Sequence, residues 1–393
     1  MKKPLTLLFL CLIFTLFQVK NGVSAPKQRI KIAYITQEKA VPAALSNLDD
    51  FIQNKGIIGA ELAIKDNNTT GQFTAQQYEL IKIVVPLTCD ANQWFIDDIT
   101  DDINFIVVNL PADKLKQLAD LPQAKTKLLF DVATRDDDLR GSECRDNILH
   151  LQPSHAMRAD ALAQFMLKKR WKKWFLVTGT DEKDVLFSKA LKRSAKKFGL
   201  NVVAEKIWKH TYDARRTAQS DVPVFTQEVT DYDVLVVADE KGLFGEYLNY
   251  RTWLPRPVIG TQGLIATAWH KTHEQWGAVQ IQNRFKEAAG RSMEEVDYGA
   301  YLAVRAIGEA SVRAKSNQLA PIKAYLLGDQ LALQGYKGKP LSFRAWNGQL
   351  RQPILLAAPR SLVTAAPIEG FLHKKTELDT LGIDFPESTC GKK

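Results

Sequence analysis

Within the 393-residue sequence, His270, His273 and Glu274 place two imidazoles and a carboxylate inside five positions, the residue types a hydrolytic zinc would require. Their order is H-x-x-H-E. It matches neither H-E-x-x-H nor H-x-x-E-H, the spacings that set two ligands and a general base around one ion. Two histidines at helical spacing still need a third ligand, so the segment reads as a polar surface turn between Trp269 and Trp276. Asp136, Asp137 and Asp138 follow Arg135, and Asp97, Asp98, Asp101 and Asp102 cluster earlier. Calcium or a lanthanide would favour such oxygen-rich clusters. Adjacent acids point in different directions, however, EF-hand spacing is lacking, and acidic residues commonly start helices. The sequence has no G-x-S-x-G, no P-loop and no G-x-G-x-x-G after its first strand, so acyl transfer, nucleotide hydrolysis and dinucleotide redox chemistry lack their usual apparatus. These features predict no catalytic residue, no metal and no cofactor.

The amino terminus predicts export. Lys2 and Lys3 precede an apolar run over 5–19, followed by the small residues Val23, Ser24 and Ala25, which is the layout of a cleaved secretory signal over residues 1–25. Pro26 would hinder a cut directly after Ala25, and the bulky Leu10 before Cys11 argues against lipidation there. A free periplasmic protein is expected. Removing Lys2, Lys3 and Lys20 with the signal lowers the formal charge from +9 to +6, and the remaining excess is spread over solvated helix faces such as 168–173 and 189–197. Without an aromatic-interleaved basic groove, that charge predicts no nucleic-acid partner. The mature chain keeps Cys89, Cys144 and Cys390. In an oxidising compartment this implies one disulfide and one remaining thiol, with three pairings open. Trp171 and Trp174 fall at a helix-to-strand junction, where core packing is the expected role.

These residues must be carried by an α/β framework. Residues 30–36, 80–85, 103–110 and 127–132 read as buried strands, with a helix between the first two that sets Ile57, Ala60 and Ile64 on one face. The pattern restarts after Pro153: a helix over 158–169, a strand over 174–178, a helix striped by Phe187, Ala190, Leu191, Ser194 and Phe198, and strands at 201–204, 234–238 and 257–260. Two parallel-sheet, Rossmann-like lobes follow, each covered by helices on both faces. The chain then returns to a helix through Ala300, Ala303, Val304 and Ile307, and ends with a hairpin of 341–345 and 351–357 around Trp346-Asn347-Gly348, then a polar, irregular tail. In open α/β sheets, ligands lie beyond the carboxyl ends of the strands. The candidate ligand-binding residues are therefore Gln37, Asn109, Thr134 and Arg135 in the first lobe, and Thr180, Asp181, Asp239, Glu240 and Gln262 in the second.

The GIIGAELAIKD stretch at 56–66, the YGAYLAVRAIGEA helix at 298–310 and the Gly348-Gln349 hairpin occur in an order that resembles the type I periplasmic binding proteins of the branched-chain amino acid and amide group. CRDNILHLQPSHAMRADALAQFMLKKRWKKWFLVTG at 144–179 and EGFLHKKTELDTLGIDFPESTC at 369–390 are similar to one subfamily, the ABC-transporter substrate-binding proteins encoded beside pyrroloquinoline quinone (PQQ)-dependent alcohol dehydrogenase systems. The resemblance implies a solute receptor that closes about a three-segment hinge near 152–153, 262–263 and 336–338. Its lobes would comprise 26–152 plus 263–337 and 153–262 plus 338–366, with a tail over 367–393. It further implies a small-molecule solute, a membrane ABC transporter permease as partner, a setting in periplasmic alcohol or methanol oxidation, and a Cys144–Cys390 disulfide, with Cys89–Cys144 as the rival. Amino-acid binders of the wider group carry a Gly-containing turn and Ser or Thr after the third strand. Here Asn109-Leu110-Pro111-Ala112 stands there, and Pro111 removes a backbone donor. The departure points toward a ligand without an α-amino carboxylate, such as an alcohol-oxidation metabolite or a cofactor-related molecule. A periplasmic accessory protein for the dehydrogenase, or for its metal or cofactor supply, is the alternative class; a hydrolase would need a reactive constellation the sequence lacks.

Overall fold

Strand alternation decides which way each side chain faces, and in the computed structural model, which describes residues 27–39, 51–87, 99–209 and 217–391, it builds two sheets covered on both faces. The first sheet consists of β1 (Gln28–Gln37), β2 (Gln76–Val85), β3 (Ile103–Asn109), β4 (Leu128–Asp131) and β5 (Ile148–His150), all parallel in the order β2-β1-β3-β4-β5. In β1, Ile32 and Tyr34 enter one hydrophobic cluster while Ala33 and Ile35 enter another on the opposite face. Helices α1 (Ile57–Thr74) and α2 (Ala112–Asp120) follow β1 and β3. The signal segment, Cys89, Asp97 and Asp98 lie outside the described residues.

The second sheet takes the next part of the chain. Helix α3 (His155–Lys169) leads into β6 (Lys173–Thr178), α4 (Glu182–Lys197), β7 (Asn201–Ile207), α5 (Ala218–Thr226), β8 (Val234–Ala238), α6 (Gly245–Arg251), β9 (Val258–Gly260) and β10 (Leu264–Thr267). Trp174 and Leu176 face one core, Phe175 and Val177 the other, and Trp171 packs at the edge of the first. The chain then adds α7 (Ala278–Ala289), α8 (Glu295–Ala314) and α9 (Leu319–Leu327) to the first lobe, whose core takes in Ile281, Tyr301 and Ile322. A small sheet of β11 (Leu333–Gln334), β12 (Pro340–Phe343) and β13 (Leu350–Arg351) buries Leu341, Phe343 and Leu350 in that same core. Finally β14 (Ile354–Ala358) and β15 (Ser361–Ala366) extend the second sheet antiparallel, giving β15-β14-β10-β9-β8-β6-β7.

Sheet membership moves two of the three expected passages between lobes. The first runs between β5 and α3, over 151–154. The second falls after Thr267 rather than at 262–263, because β10 is hydrogen-bonded between β9 and β14 of the second sheet. The third falls at Gln352-Pro353 rather than 336–338, because β12 and β13 still belong to the first lobe. The closing hairpin is correspondingly shorter than expected: β12 pairs with β13, and 354–358 leaves for the other sheet. Buried polar side chains stitch the first and third passages together. Gln352 Nε2 donates to the Leu151 carbonyl at 2.6 Å, Gln349 Nε2 to Gln152 O at 3.0 Å, and Lys337 Nζ to Gln352 Oε1 at 2.7 Å.

The segment after Ala366 is less irregular than its composition suggests. Ile368 and Leu381 enter the second-lobe core, and Asp160 Oδ2 on α3 accepts from Gly382 N at 2.9 Å. The buried Arg344, from the first-lobe side, donates to Leu381 O at 2.7 Å and Asp379 Oδ1 at 2.8 Å. Cys390 is then joined to Cys144 of the first lobe, with Cα atoms 5.5 Å apart. The segment thus touches both lobes. No helix among the described residues is long and apolar enough to cross a membrane.

Candidate functional site

The carboxyl ends of β1, β3 and β4 open onto a cleft of about 510 Å³ that the start of α3, the start of α4 and the turn after β8 close from the other lobe. The first lobe supplies Gln37, Glu38, Lys39, Leu87, Asn109, Leu110, Pro111, Ala112, Ala133, Thr134, Arg135, Asp136 and Val296. The second supplies His155, Lys183 and Glu240.

The wall after β4 is held by two buried charged groups. Asp131 ends the strand and accepts from Thr134 N at 2.9 Å, Ala133 N at 3.1 Å and His150 Nδ1 at 2.8 Å. Burial opposes its charge, but His150, Arg140 and Thr134 more than offset this and keep its carboxyl below the usual range. Arg140, also buried, donates to Thr134 O at 2.9 Å, Asp136 O at 2.9 Å and Gln349 Oε1 at 2.8 Å. The turn bearing Arg135 is therefore fixed from beneath, and Arg135 projects toward the second lobe.

There it enters a four-member ion network that crosses the cleft. Arg135 pairs with Glu295 at the start of α8 and with Glu240 Oε2 at 3.1 Å, while Glu240 Oε1 accepts from Arg158 on α3 at 2.6 Å. Burial disfavours ionised Glu240, yet Arg158 and Arg135 hold its carboxyl down at about 2. Arg158 also lies 4.6 Å over the Phe187 ring. Glu240 is positioned by Asp184 of α4, whose Oδ1 accepts from Glu240 N at 2.6 Å. A side chain on the preceding strand end would collide with this arrangement, since a Cβ on Gly179 would stand 2.1 Å from Asp184 Oδ2. His155 Nδ1 and Arg135 Nε, in the same cluster, are buried nitrogens with no hydrogen-bond partner. Burial, then the charge of Arg158, pushes the His155 imidazole down to about 3, so it is neutral at physiological pH.

Of the nine residues expected at strand ends, Gln37, Asn109, Thr134, Arg135 and Glu240 line the cleft. The other four are elsewhere. The Asp239 carboxylate turns into its own lobe, accepting from Leu243, Phe244 and Gly245 N–H groups at 3.0, 2.8 and 2.7 Å. Asp181 caps α4 and pairs with Lys241 at 2.5 Å. Gln262 packs beneath Gly245, where an added Cβ would come within 2.7 Å of its Cγ. Thr180 is exposed outside the lining. Strand-end position alone did not find His155 and Lys183; both begin helices just past a predicted strand or passage, and the helix amino terminus was the available signal. Glu295, which opens α8 and completes the network, carried that same signal, whereas Arg158, one turn into α3, gave none.

Among the described residues, one carboxylate from each acidic cluster serves the chain itself. Asp137 accepts from Ala156 N at 3.0 Å, and Asp102 pairs with Lys31 at 2.7 Å. Contrary to the surface turn expected for H-x-x-H-E, His273 is buried: its Nε2 contacts Tyr336 O at 2.7 Å while Trp269 stacks on Tyr298 with ring centroids 4.5 Å apart. His270 Nδ1 contacts Thr272 Oγ1 at 2.7 Å. Among the described residues no group of three or more His, Cys, Asp and Glu side chains is arranged to hold a metal ion.

No protein-family model matches the sequence, and no curated protein matches it. Solved structures do. A branched-chain amino acid ABC transporter periplasmic ligand-binding protein from Burkholderia xenovorans is 16% identical with a TM-score of 0.71, covering 92% of this chain and 99% of that one. A solute-binding protein of an ABC transporter from R. palustris, solved with benzoate, is 11% identical with a TM-score of 0.66 over 92% and 99%. The branched-chain amino acid transporter substrate-binding protein LivJ from Streptococcus pneumoniae, solved with isoleucine, is 15% identical with a TM-score of 0.62 over 86% and 99%. The chain has the type I periplasmic binding protein fold.

Proposed function

We propose that this chain is the periplasmic substrate-binding component of an ABC transporter, a receptor rather than an enzyme, which captures a small solute between its lobes and delivers it to a membrane permease. The carrying observation is the cleft of about 510 Å³ at the strand ends, lined from both lobes and bridged by Arg135 and Glu240. Its size falls in the range of small-molecule sites. The structural neighbours bind isoleucine or benzoate in the same architecture. Closure about three chain passages would bury a ligand and give a transporter two shapes to discriminate.

The stretches at 144–179 and 369–390 support a narrower setting, uptake linked to PQQ-dependent alcohol oxidation in the periplasm after cleavage of the 1–25 signal. That setting rests on the sequence resemblance. It predicts that deleting the gene slows growth on a short alcohol while the dehydrogenase activity of periplasmic extracts is retained; lost dehydrogenase activity would favour an accessory role instead.

The receptor reading is tested by differential scanning fluorimetry of mature protein, unfolded and refolded to strip carried-over ligand. The panel comprises amino acids, organic acids, short alcohols, aldehydes, PQQ, calcium and a lanthanide. A ligand at one hundred times its Kd should add about 2.7 kcal/mol of stability. The same ligand should reduce the radius of gyration in small-angle scattering. A flat panel with an unchanged radius would sink the receptor reading.

A further inference from the structure

The end of the second lobe where its parallel strands begin, remote from the cleft, gathers positive charge that no carboxylate offsets. Lys168 and Lys169 close α3, Arg170 and Lys172 follow it before β6, and Lys196 stands in the last turn of α4; all are exposed. The fold brings the two groups together, since Asn201 N, just past α4, donates to Lys172 O at 2.8 Å. Among the described residues none of these cations forms an ion pair. The acids beside them are engaged. Asp231 pairs with Lys173 at 2.7 Å, and Asp233 accepts from the Lys172 and Lys173 N–H groups at 2.8 and 2.9 Å. Glu369, exposed in the carboxy-terminal segment, is offset by the exposed Lys374 and Lys375.

Two helices end here, and cations in a last turn oppose the helix dipole, which accounts for Lys168, Lys169 and Lys196. It does not account for Arg170 and Lys172, which lie beyond α3, nor for the apolar groups among the cations. Trp171, Phe198 and Phe371 pack at the margin of the second-lobe core and stay half-buried, the two phenylalanine rings 5.8 Å apart. Next to Phe371, Leu372 is 46% exposed. The cations are nearly all lysine, a compact charge on a flexible stem that suits a diffuse anionic surface, whereas shaped carboxylate partners favour the arginine fork. Aromatic rings among lysines match the chemistry of a membrane–water interface, where the rings sit at headgroup level and the lysines meet anionic lipid.

We infer that this end of the second lobe is a docking face for an anionic phospholipid bilayer, met by Lys168, Lys169, Arg170, Lys172 and Lys196 with Trp171 and Leu372 at the headgroups. The inference goes beyond the receptor reading and does not depend on it. Strand β6 runs from this face toward the cleft over 6 residues, which span about 20 Å, so the cleft stays clear of the bilayer when the face is docked.

The test is co-sedimentation of mature protein with vesicles of phosphatidylcholine alone and of three parts phosphatidylcholine to one part phosphatidylglycerol, in about 0.1 M salt, where charges act over about 10 Å. Binding to the phosphatidylglycerol vesicles only is expected. Each basic residue at an anionic bilayer adds roughly fivefold to the partition, so K168E/K169E/K172E should lose at least tenfold at an unchanged melting temperature. Should that variant not fold, K168Q/K169Q/K172Q carries the same expectation. K65E/K125E/K286E removes the same charge from exposed first-lobe positions and should lose less than threefold. Equal losses in the two triple variants, equal binding to both vesicles, or binding to neither overturns the inference. Soluble polyglutamate binding as tightly as the anionic vesicles, with the same loss in the first variant, also overturns it and points to an acidic protein partner instead.

Discussion

His150 and His155 flank the first passage between the lobes, and burial drives both imidazoles down, to about 4 and about 3, with Arg140 and Arg158 adding to the effect. The unfolded chain binds these protons below about pH 6.5, whereas the native chain does not until the depressed values are reached. The stability they contribute is thus complete above pH 6.5 and is lost as the pH falls. At pH 5 each costs about 2 kcal/mol relative to pH 7. Asp184 acts in the opposite sense: burial raises its carboxyl to about 6, so the native state gains that proton first and recovers about 1–2 kcal/mol. A net loss of about 2–3 kcal/mol between pH 7 and 5 is expected from these three groups in urea unfolding. H155F should flatten this dependence, and an unchanged slope would contradict the buried, neutral assignment.

At the scale of elements, two of the stretches that carry the family likeness, 56–66 and 298–310, lie on the two sides of one helix contact. Gly56 N donates to Asp297 Oδ1 at 2.7 Å, and Asn67 Nδ2 to Val304 O at 2.8 Å, which lays α1 along α8. The approach is close enough that a Cβ on Gly59 would stand 2.1 Å from the Asp297 carbonyl oxygen. Helix propensity would favour alanine there by about 1 kcal/mol, but backbone cannot move aside as a side chain can, and overpacking costs about 1–3 kcal/mol. G59A should therefore lower the melting temperature by several degrees, while T69A on the exposed side of the same helix leaves it nearly unchanged. Equal melting temperatures for G59A and the parent would show that the helices separate freely.

On the scale of the whole molecule, the carboxy-terminal segment binds the second lobe through Asp160 and Gln164 and the first through Arg344 and the Cys144–Cys390 bond. The bond closes a loop across a sequence separation of 246 residues, for which chain entropy predicts up to about 5 kcal/mol. The polar anchors at Leu381 and Gly382 survive its removal. C144S should thus cost less than that bound and expose the chain beyond Ile383 to limited proteolysis, with 368–382 protected. Digestion throughout the segment would mean the disulfide alone holds it.

Periodicity and strand-end logic reached the fold because they depend on local facts: near-continuous apolar runs at 30–36 and 174–178, helical stripes at 57–64 and 300–307, and polar breaks between them. They also reached Gln37, Asn109, Thr134, Arg135 and Glu240, since a strand's carboxyl end faces the cleft whatever its neighbours. What the sequence by itself determined was two α/β lobes and where a cleft must open. Only the tertiary structure decided which polar groups remain available in it. Asp239 and Asp181 look as exposed in sequence as Glu240, yet their carboxylates are taken by backbone amides of the following turn and helix. The sheet to which a short strand such as Leu264–Thr267 belongs was likewise settled at a distance, by hydrogen bonds to Ile354–Ala358 some ninety positions on. Pairing partners, charge neutralisation and the sharing of one half-buried arginine between two glutamates are long-range properties, and no local pattern encodes them.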